Sequence, residues 1–257
     1  MIDKKNNFIL RVQKKINKLS IKNSIQKKFY IKKKVKYQLF TNLDLKIEKY
    51  IRQEIKKNFP KDNIFGEEFK NKLNKSKFTW YIDPIDGTKN LILNIPTWSN
   101  MIGLFYKDKA INSLINFPML KKYYYSINSK SFLIEEKKPK IIKSSIIKEI
   151  NKAKIVFNSL HTVNNKKISH FIKKFKGFLR VTGIDSYNFC LLAEGKIDII
   201  IEKGLKIVDI MPNIALIENA GGVITDWDGG KKFEKGKIVA SSNKILHAKI
   251  LKTIKNI

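Results

Sequence analysis

The 257-residue sequence has one cysteine, three histidines and no long apolar run. Cys190, the only cysteine, excludes an internal disulfide, and its place in the apolar run 187–192 predicts a buried small residue rather than a nucleophile. The histidines, His161, His170 and His247, are too scattered to indicate a zinc site. No stretch approaches the roughly 18 consecutive apolar residues of a membrane span, and lysines stand where a signal peptide would be apolar. We therefore expect a soluble, cytoplasmic protein with no membrane partner.

Arginine is also scarce, since only three of the 53 basic residues are arginine, although the formal net charge is +31. The positive charge is concentrated in 1–60 and 121–176, which carry +14 and +12. Residues 62–118 and 177–237 carry +1 and −1 and hold 15 of the 22 acids. Proteins that read nucleic-acid sequence rely on bidentate arginine contacts, and a diffuse lysine surface is usually a solvated face. The charge pattern therefore argues against a specific nucleic-acid partner.

The apolar spacing predicts helices first, then a run of strands, then strands alternating with helices. Helical spacing occurs over 4–36, 45–58, 164–176, 184–193, 209–219 and 243–256. Strand patterns occur over 64–69, 78–82, 98–106, 110–117, 122–126, 154–158, 197–202, 223–225 and 238–240. The lysine-rich stretch from about 128 to 150 is poorly patterned. We interpret it as the seam between an N-terminal α+β lobe, residues 1–135, and a C-terminal α/β lobe, residues 150–257.

Several acids stand in places where folding alone does not require them. They are Asp44, Glu67, Glu68, Asp83, Asp86, Glu202 and Asp209. Each has an ordinary interpretation, as an early-helix acid, a loop or turn residue, or a helix cap. Taken together these interpretations are harder to maintain, because clustered carboxylates repel one another unless cations hold them.

The most informative stretch is WYIDPIDGT, residues 80–88, where an apolar strand ends in two carboxylates separated by a rigid proline. This arrangement directs Asp83, Asp86 and the Ile85 carbonyl into one space. An oxygen-only shell suits a hard divalent cation such as Mg²⁺. The backbone N–H groups of Gly87 and Thr88, at the start of a short helix, can bind a phosphate ester beside the metal.

Three motifs, in this order and spacing, resemble the signature of the inositol monophosphatase superfamily. They are Gly66-Glu-Glu68, Asp83-Pro-Ile-Asp-Gly-Thr88, and Val208-Asp209 followed by Glu218-Asn-Ala-Gly-Gly222. The resemblance runs from about Asp44 to the C-terminus. It implies an α/β fold, a layered αβαβα sandwich, and hydrolysis of small phosphate monoesters with two or three Mg²⁺ ions by a homodimer.

The resemblance also implies a role for each matching residue. Glu67, Asp83 and the Ile85 carbonyl would bind the first ion, and Asp83, Asp86 and Asp209 the second. Glu67 would also help to hold a third ion or position the attacking water. Thr88, backed by Asp44, would orient and deprotonate that water, while the Gly87 and Thr88 amides bind the phosphate.

Finer features resemble the histidinol-phosphate phosphatases of this superfamily. These features are Ile64–Phe69, Ile95–Trp98, Asp185–Tyr187 and Ile224–Gly229. In that branch Asp185 and Glu202 would face the non-phosphate end of the substrate, where histidinol phosphate carries an ammonium and an imidazole. The sequence departs from the superfamily at Val208, where an aromatic residue is common, and before Asp44, where a proline is missing.

We therefore expect a Mg²⁺-dependent phosphatase acting on L-histidinol phosphate, in histidine biosynthesis. The alternatives are an inositol-1-monophosphatase and a 3′-phosphoadenosine 5′-phosphate phosphatase, the latter usually a longer chain. A lysine-rich nucleic-acid binder that kept the fold and lost the chemistry is the alternative from another class. A metal-shaped acid pocket argues against that last hypothesis, because a binder has no need of one.

Overall fold

The computed structural model describes residues 2–26, 28–33, 39–184 and 186–255. Two helices, α1 (Ile2–Ile25) and α2 (Asn42–Asn58), begin the chain. Between them lies a short antiparallel ribbon of β1 (Ile31–Lys33) and β2 (Leu39–Thr41). Thr41 caps α2, because its hydroxyl accepts the Leu43 N–H and its own N–H is bonded to the Asp44 carboxylate.

The first sheet is formed by seven of the described strands, in the order β3-β4-β5-β6-β7-β8-β9. Their bounds are β3 Asn63–Gly66, β4 Phe78–Asp86, β5 Ser99–Tyr106, β6 Lys109–Phe117, β7 Lys122–Ile127, β8 Lys130–Glu135 and β9 Lys138–Ile142. Strands β3 and β4 are parallel, and the remaining neighbours are antiparallel. The short helix α3 (Thr88–Ile92) follows β4 directly.

The second sheet contains five of the described strands, in the order β11-β10-β12-β14-β13. Their bounds are β10 Ile155–Phe157, β11 Leu179–Val181, β12 Ile199–Lys203, β13 Val223–Asp226 and β14 Lys237–Ser241. The connecting helices are α4 Leu160–Val163, α5 Lys166–Lys174, α6 Ser186–Ala193, α7 Ile207–Asn219 and α8 Lys244–Lys255.

The elements stack in five layers. Helices α1 and α2 cover one face of the first sheet, and α6 and α7 lie between the two sheets. Helices α5 and α8 cover the outer face of the second sheet. Side chains of β12 alternate accordingly: Ile200 packs in the central layer, whereas Ile199 and Ile201 face the outer helices. The layered αβαβα sandwich expected from the sequence is confirmed.

Two sequence predictions about local structure are wrong. The first helix ends at Ile25 instead of continuing to 36, and β1 begins at Ile31. Residues 128–150, in which the sequence predicted no strand, contain β8 and β9, which continue the first sheet to Ile142. Lysines on the exposed side of this hairpin obscured its alternation. The proposed division into 1–135 and 150–257 stays a prediction.

None of the described helices combines the length and the apolar character that a membrane span requires. Cys190 is buried with a free thiol, as the sequence predicted.

Candidate active site

The site is built around the end of β4. Pro84 cannot donate a ladder hydrogen bond, and the pairing of β4 with β5 shifts register between Asp83 and Asp86. Gly87 then has a left-handed backbone, with φ of 78°, and leads into α3. A glycine accepts this conformation without strain. The sequence therefore turns sharply after Asp86 and directs Asp83 and Asp86 toward the same cleft.

A second loop brings Glu67 to this cleft. Glu48 and Arg52 of α2 form a buried ion pair of 2.6 Å, and Glu48 accepts the backbone N–H of Glu68 at 2.7 Å. A Cβ atom at Gly66 would lie 2.0 Å from the Glu48 carboxylate, so a larger residue there would push the ion pair aside. The ion pair thus holds the Gly66–Glu68 loop against α2.

The predicted carboxylates are close enough to act on one another. Burial raises the pKa of Asp83 well above its usual range, and the negative charges of Glu67, Asp86, Asp209 and Asp44 raise it further. Asp83 is only 2% exposed. Ionisation of the whole cluster is therefore electrostatically unfavourable unless a positive charge lies beside it.

Three of the carboxylates are positioned by backbone hydrogen bonds. Asp86 Oδ2 accepts the Ser186 N–H at 2.8 Å, at the N-terminus of α6, and Asp209 Oδ2 accepts the Lys206 N–H at 2.7 Å, at the start of α7. Asp44 Oδ2 accepts the hydroxyl and the N–H of Thr41, at 2.5 and 2.8 Å. The N-termini of α2, α6 and α7 thus orient these three acids.

The donor set fits a hard divalent cation. It is made of carboxylate and carbonyl oxygens, and Asp83 Oδ1 is buried without a hydrogen-bond partner in the described part of the chain. Among the described residues, however, no three acidic, histidine or cysteine side chains are already assembled as a metal cage. Glu67, one of the expected ligands, is bonded to a lysine.

The partner of Glu67 is Lys206, a residue that the sequence reasoning missed. Lys206 Nζ lies 2.5 Å from Glu67 Oε1, and its side chain is 38% exposed. Burial alone would lower the pKa of Lys206, but the charges of Glu67, Asp209 and Asp83 outweigh it and raise the pKa. No sequence signal distinguished this lysine from the many others.

Thr88 and Asp44 are not joined directly. The Thr88 hydroxyl donates to the Ile85 carbonyl at 3.1 Å, and no hydrogen bond within the described structure links it to Asp44. Both residues belong to the same neighbourhood, because α3 packs against β2 and Thr41 of β2 holds Asp44. Their predicted cooperation in orienting water stays a prediction.

The cleft has a volume of about 350 Å³. The predicted residues Glu67, Asp83, Ile85, Asp86, Gly87, Thr88, Glu202 and Asp209 line it. Lining residues that the sequence did not single out include Lys89, Asn158, Ser159, His161, Lys203 and Lys206. Asp44 lies behind this lining, and Asp185 lies outside the described residues.

Glu202 is 2% exposed and is held by the wall of the cleft. Its carboxylate accepts the backbone N–H of Asn158 and, at 3.0 Å, the hydroxyl of Thr162. These bonds fix the loop that leads into α4 beside the cleft. Contact of Glu202 with a substrate stays a prediction.

A network of buried side-chain amides connects α1 to the end of β4, at Pro84. Gln13 donates to Asn116 at 2.9 Å, and Asn116 donates to Asn100 at 2.9 Å. Ser20 also donates to Asn100, at 3.1 Å, and Asn100 donates to the Pro84 carbonyl at 2.7 Å. The position of the loop therefore depends on a side chain that does not line the cleft.

We expect Asn100→Leu to destabilise the protein by about 2–4 kcal/mol, because the Pro84 carbonyl and Asn116 lose a buried partner. Because the loop loses its support, affinity for Mg²⁺ should also fall about tenfold or more. Asn112→Leu is the matched control, since Asn112 is buried in the same sheet and bonds to Asn6 on α1. Denaturant unfolding and Mg²⁺ titration of both variants test this. Equal Mg²⁺ affinities would contradict the role of Asn100.

Asp44 predicts a pH dependence of stability in the metal-free protein. Burial raises the pKa of Asp44 to about 7, against the bonds from Thr41 that lower it. The unfolded chain releases this proton near pH ~4 and the folded chain near pH ~7, so stability falls as the pH rises between those values. The expected loss is about 3–4 kcal/mol. Urea unfolding in EDTA from about pH 4 to 8 measures it, and an unchanged slope in Asp44→Asn would contradict it.

Comparisons with known proteins place the chain in a family. A model of the inositol monophosphatase family matches residues 5–257. The bifunctional phosphatase IMPL2, chloroplastic, of Arabidopsis thaliana is 34% identical over 218 residues, which cover 83% of this chain and 61% of that protein. The chain thus corresponds to less than two thirds of the plant protein. Histidinol-phosphatase of Mycobacterium tuberculosis is 28% identical over 215 residues, which cover 82% of each chain.

Solved structures share the fold. The extragenic suppressor protein suhB from Bartonella henselae has a TM-score of 0.85 at 22% identity and covers 97% of each chain. An IMPase/NADP phosphatase complexed with Mg²⁺ and phosphate has a TM-score of 0.83 at 23% identity, covering 98% of this chain and 95% of that one.

This chain belongs to the inositol monophosphatase family, a family of phosphatases. The resemblance seen in the sequence motifs is confirmed over the whole chain.

Proposed function

We propose that this phosphatase hydrolyses L-histidinol phosphate to L-histidinol and phosphate with Mg²⁺. The observation that carries the proposal is the cleft in which Asp83, Asp86, Asp209 and Glu67 lie beside the N-terminus of α3. The histidinol-phosphatase among the relatives supports the choice of substrate.

Asp83, Asp86, Asp209, Glu67 and the Ile85 carbonyl would hold the divalent ions. Bound there, the ions lower the pKa of a water molecule and stabilise the charge that develops on the phosphoryl oxygens. The protein contributes position: β4 and α7 fix the acids, and the Gly87 and Thr88 amides orient the phosphate. Localisation in the cytoplasm and assembly as a homodimer are part of the proposal.

Water attacks the phosphorus opposite the ester oxygen, so one P–O bond forms while the bond to histidinol breaks. Thr88 would orient the water, and the proton that the water loses would pass through the Thr88 hydroxyl toward the Asp44 carboxylate behind it. The histidinol oxygen would take a proton from solvent water as it leaves. No covalent enzyme intermediate is required.

The substrate's non-phosphate end would meet Asp185 and Glu202, which suit an ammonium or an imidazolium. Inositol 1-phosphate is the second candidate, because Glu202 is a carboxylate that can also accept hydrogen bonds from hydroxyl groups. Both candidate substrates carry the same phosphomonoester group, so they would share the phosphate end of the cleft.

Comparison of kcat/KM for L-histidinol phosphate and inositol 1-phosphate, each with Mg²⁺, tests the proposal. We expect histidinol phosphate to be preferred, and Asp185→Asn to reduce that preference by about tenfold, the loss of one charged hydrogen bond. With p-nitrophenyl phosphate, which has no ammonium, the same variant should retain its activity. Equal rates, or a preference for inositol 1-phosphate, would contradict the choice of substrate.

A further inference from the structure

Lys206 is placed inside the group of carboxylates. Its backbone N–H bonds to Asp209 Oδ2 at 2.7 Å, which fixes the start of its side chain next to one expected metal ligand. Its ammonium lies 2.5 Å from Glu67 Oε1, at a second expected ligand. One lysine therefore connects the α7 side of the cleft to the Glu67 loop.

The contact occupies one of the two carboxylate oxygens of Glu67, an expected metal ligand. The Glu67 side chain is 15% exposed, and its Oε1 atom is bonded to the ammonium. A carboxylate oxygen that accepts a short hydrogen bond from an ammonium cannot at the same time bind an ion at coordination distance with the same lone pairs. The acid cluster consequently contains an internal cation.

We propose that the Lys206 ammonium acts as the built-in counter-ion of Glu67, so that a divalent ion has to compete with it for the Glu67 carboxylate. This inference rests on the proposed metal site. Lys206 is thus a positioning residue. It holds the Glu67 loop against the cleft without metal and weakens binding of the ion that replaces it.

The side chain can make this exchange. A lysine has a flexible four-carbon stem, and 38% exposure of the Lys206 side chain leaves room for its ammonium to move away from Glu67. Lys203, at the end of β12, also lines the cleft. Lys203 donates its backbone N–H to Thr162, and the residue is exposed, which makes it a matched control for loss of one positive charge.

Mn²⁺ binding, followed by the electron paramagnetic resonance signal of the free ion, tests the proposal in the full chain. For Lys206→Met we expect the Kd for Mn²⁺ to fall about three- to tenfold, since competition and one positive charge are removed. Lys206→Arg keeps a cation beside Glu67 and should remain within about twofold of the wild type. Lys203→Met should shift the Kd by less than Lys206→Met. In EDTA, only Lys206→Met should lower the melting temperature.

An unchanged or weaker Mn²⁺ affinity in Lys206→Met would overturn the proposal, as would an equal gain in Lys203→Met. If the wild type binds Mn²⁺ and hydrolyses a phosphate monoester while Lys206→Met binds equally well, the proposed function stands and this inference fails. If neither the wild type nor any variant binds Mn²⁺, both the proposed metal site and this inference fail.

Discussion

Replacing Asp83 by asparagine is expected to lower kcat by at least about 10³-fold and to leave the fold intact. Asp83 lies at the centre of the acid cluster and is the expected ligand of two ions, so an amide there removes charge from both. Metal stabilisation of charge in the transition state is worth several kcal/mol, and each ~1.36 kcal/mol is a factor of ten in rate. Steady-state kinetics with saturating Mg²⁺ and circular dichroism of the variant measure the two effects.

The same substitution should raise stability in EDTA. The high pKa of Asp83, caused first by burial and then by its acidic neighbours, means that its ionisation opposes folding at neutral pH. The amide of the Asp83→Asn variant is neutral, so the free energy of unfolding should increase by about 1–2 kcal/mol, an ordinary size for one substitution. The increase should disappear at low pH, where Asp83 of the wild type is protonated in both the folded and the unfolded chain.

Asp226→Asn is the matched control, because Asp226 is similarly buried but lies in β13 away from the cleft. Burial would raise the pKa of Asp226, but backbone N–H groups of Lys232, Gly230 and Asp228 outweigh it and lower the pKa. This variant should lose stability and keep its kcat. Retained activity in Asp83→Asn would overturn the metal assignment.

Thr88→Ala should have the second largest effect, a loss of about 10²–10³ in kcat with little change in KM. The Thr88 hydroxyl lies in the cleft, 3.1 Å from the Ile85 carbonyl, where it can orient a water molecule. Loss of a group that positions or removes the water proton typically costs this much. The backbone amide of residue 88 is unchanged, so phosphate binding should persist.

Thr88→Ser separates the hydroxyl from the rest of the side chain. It should recover most of the activity, because the hydroxyl remains at the same position. Equally poor rates for the serine and alanine variants would show that the Thr88 methyl group, rather than its hydroxyl, matters. Melting temperatures of both variants would reveal any general loss of stability.

The sequence predicted the end of β4 well, because a proline, a glycine and two acids within so short a stretch leave few local structures. It also predicted that acids far apart in the chain belong to one site, although only the resemblance to a family could place Asp209 beside Asp83. The apolar spacing of the helices and strands also indicated the layers, because buried faces repeat at fixed intervals along each element.

Other features depend on tertiary contacts that leave little trace in the sequence. Strands β8 and β9 carry lysines on their exposed side, so their pattern resembled a linker. The Lys206 contact with Glu67 joins residues 139 positions apart. Asn100 reaches the Pro84 carbonyl only because β5 pairs with β4, and a buried asparagine has no distinctive spacing.

The central claim is that the acids around Asp83 bind divalent ions for phosphate hydrolysis. Anomalous diffraction from crystals soaked with Mn²⁺ and inorganic phosphate tests it most directly. We expect Mn²⁺ peaks bounded by Asp83, Asp86 and Asp209, with phosphate at the Gly87 and Thr88 amides. Strong Mn²⁺ peaks elsewhere and none at these carboxylates would contradict it.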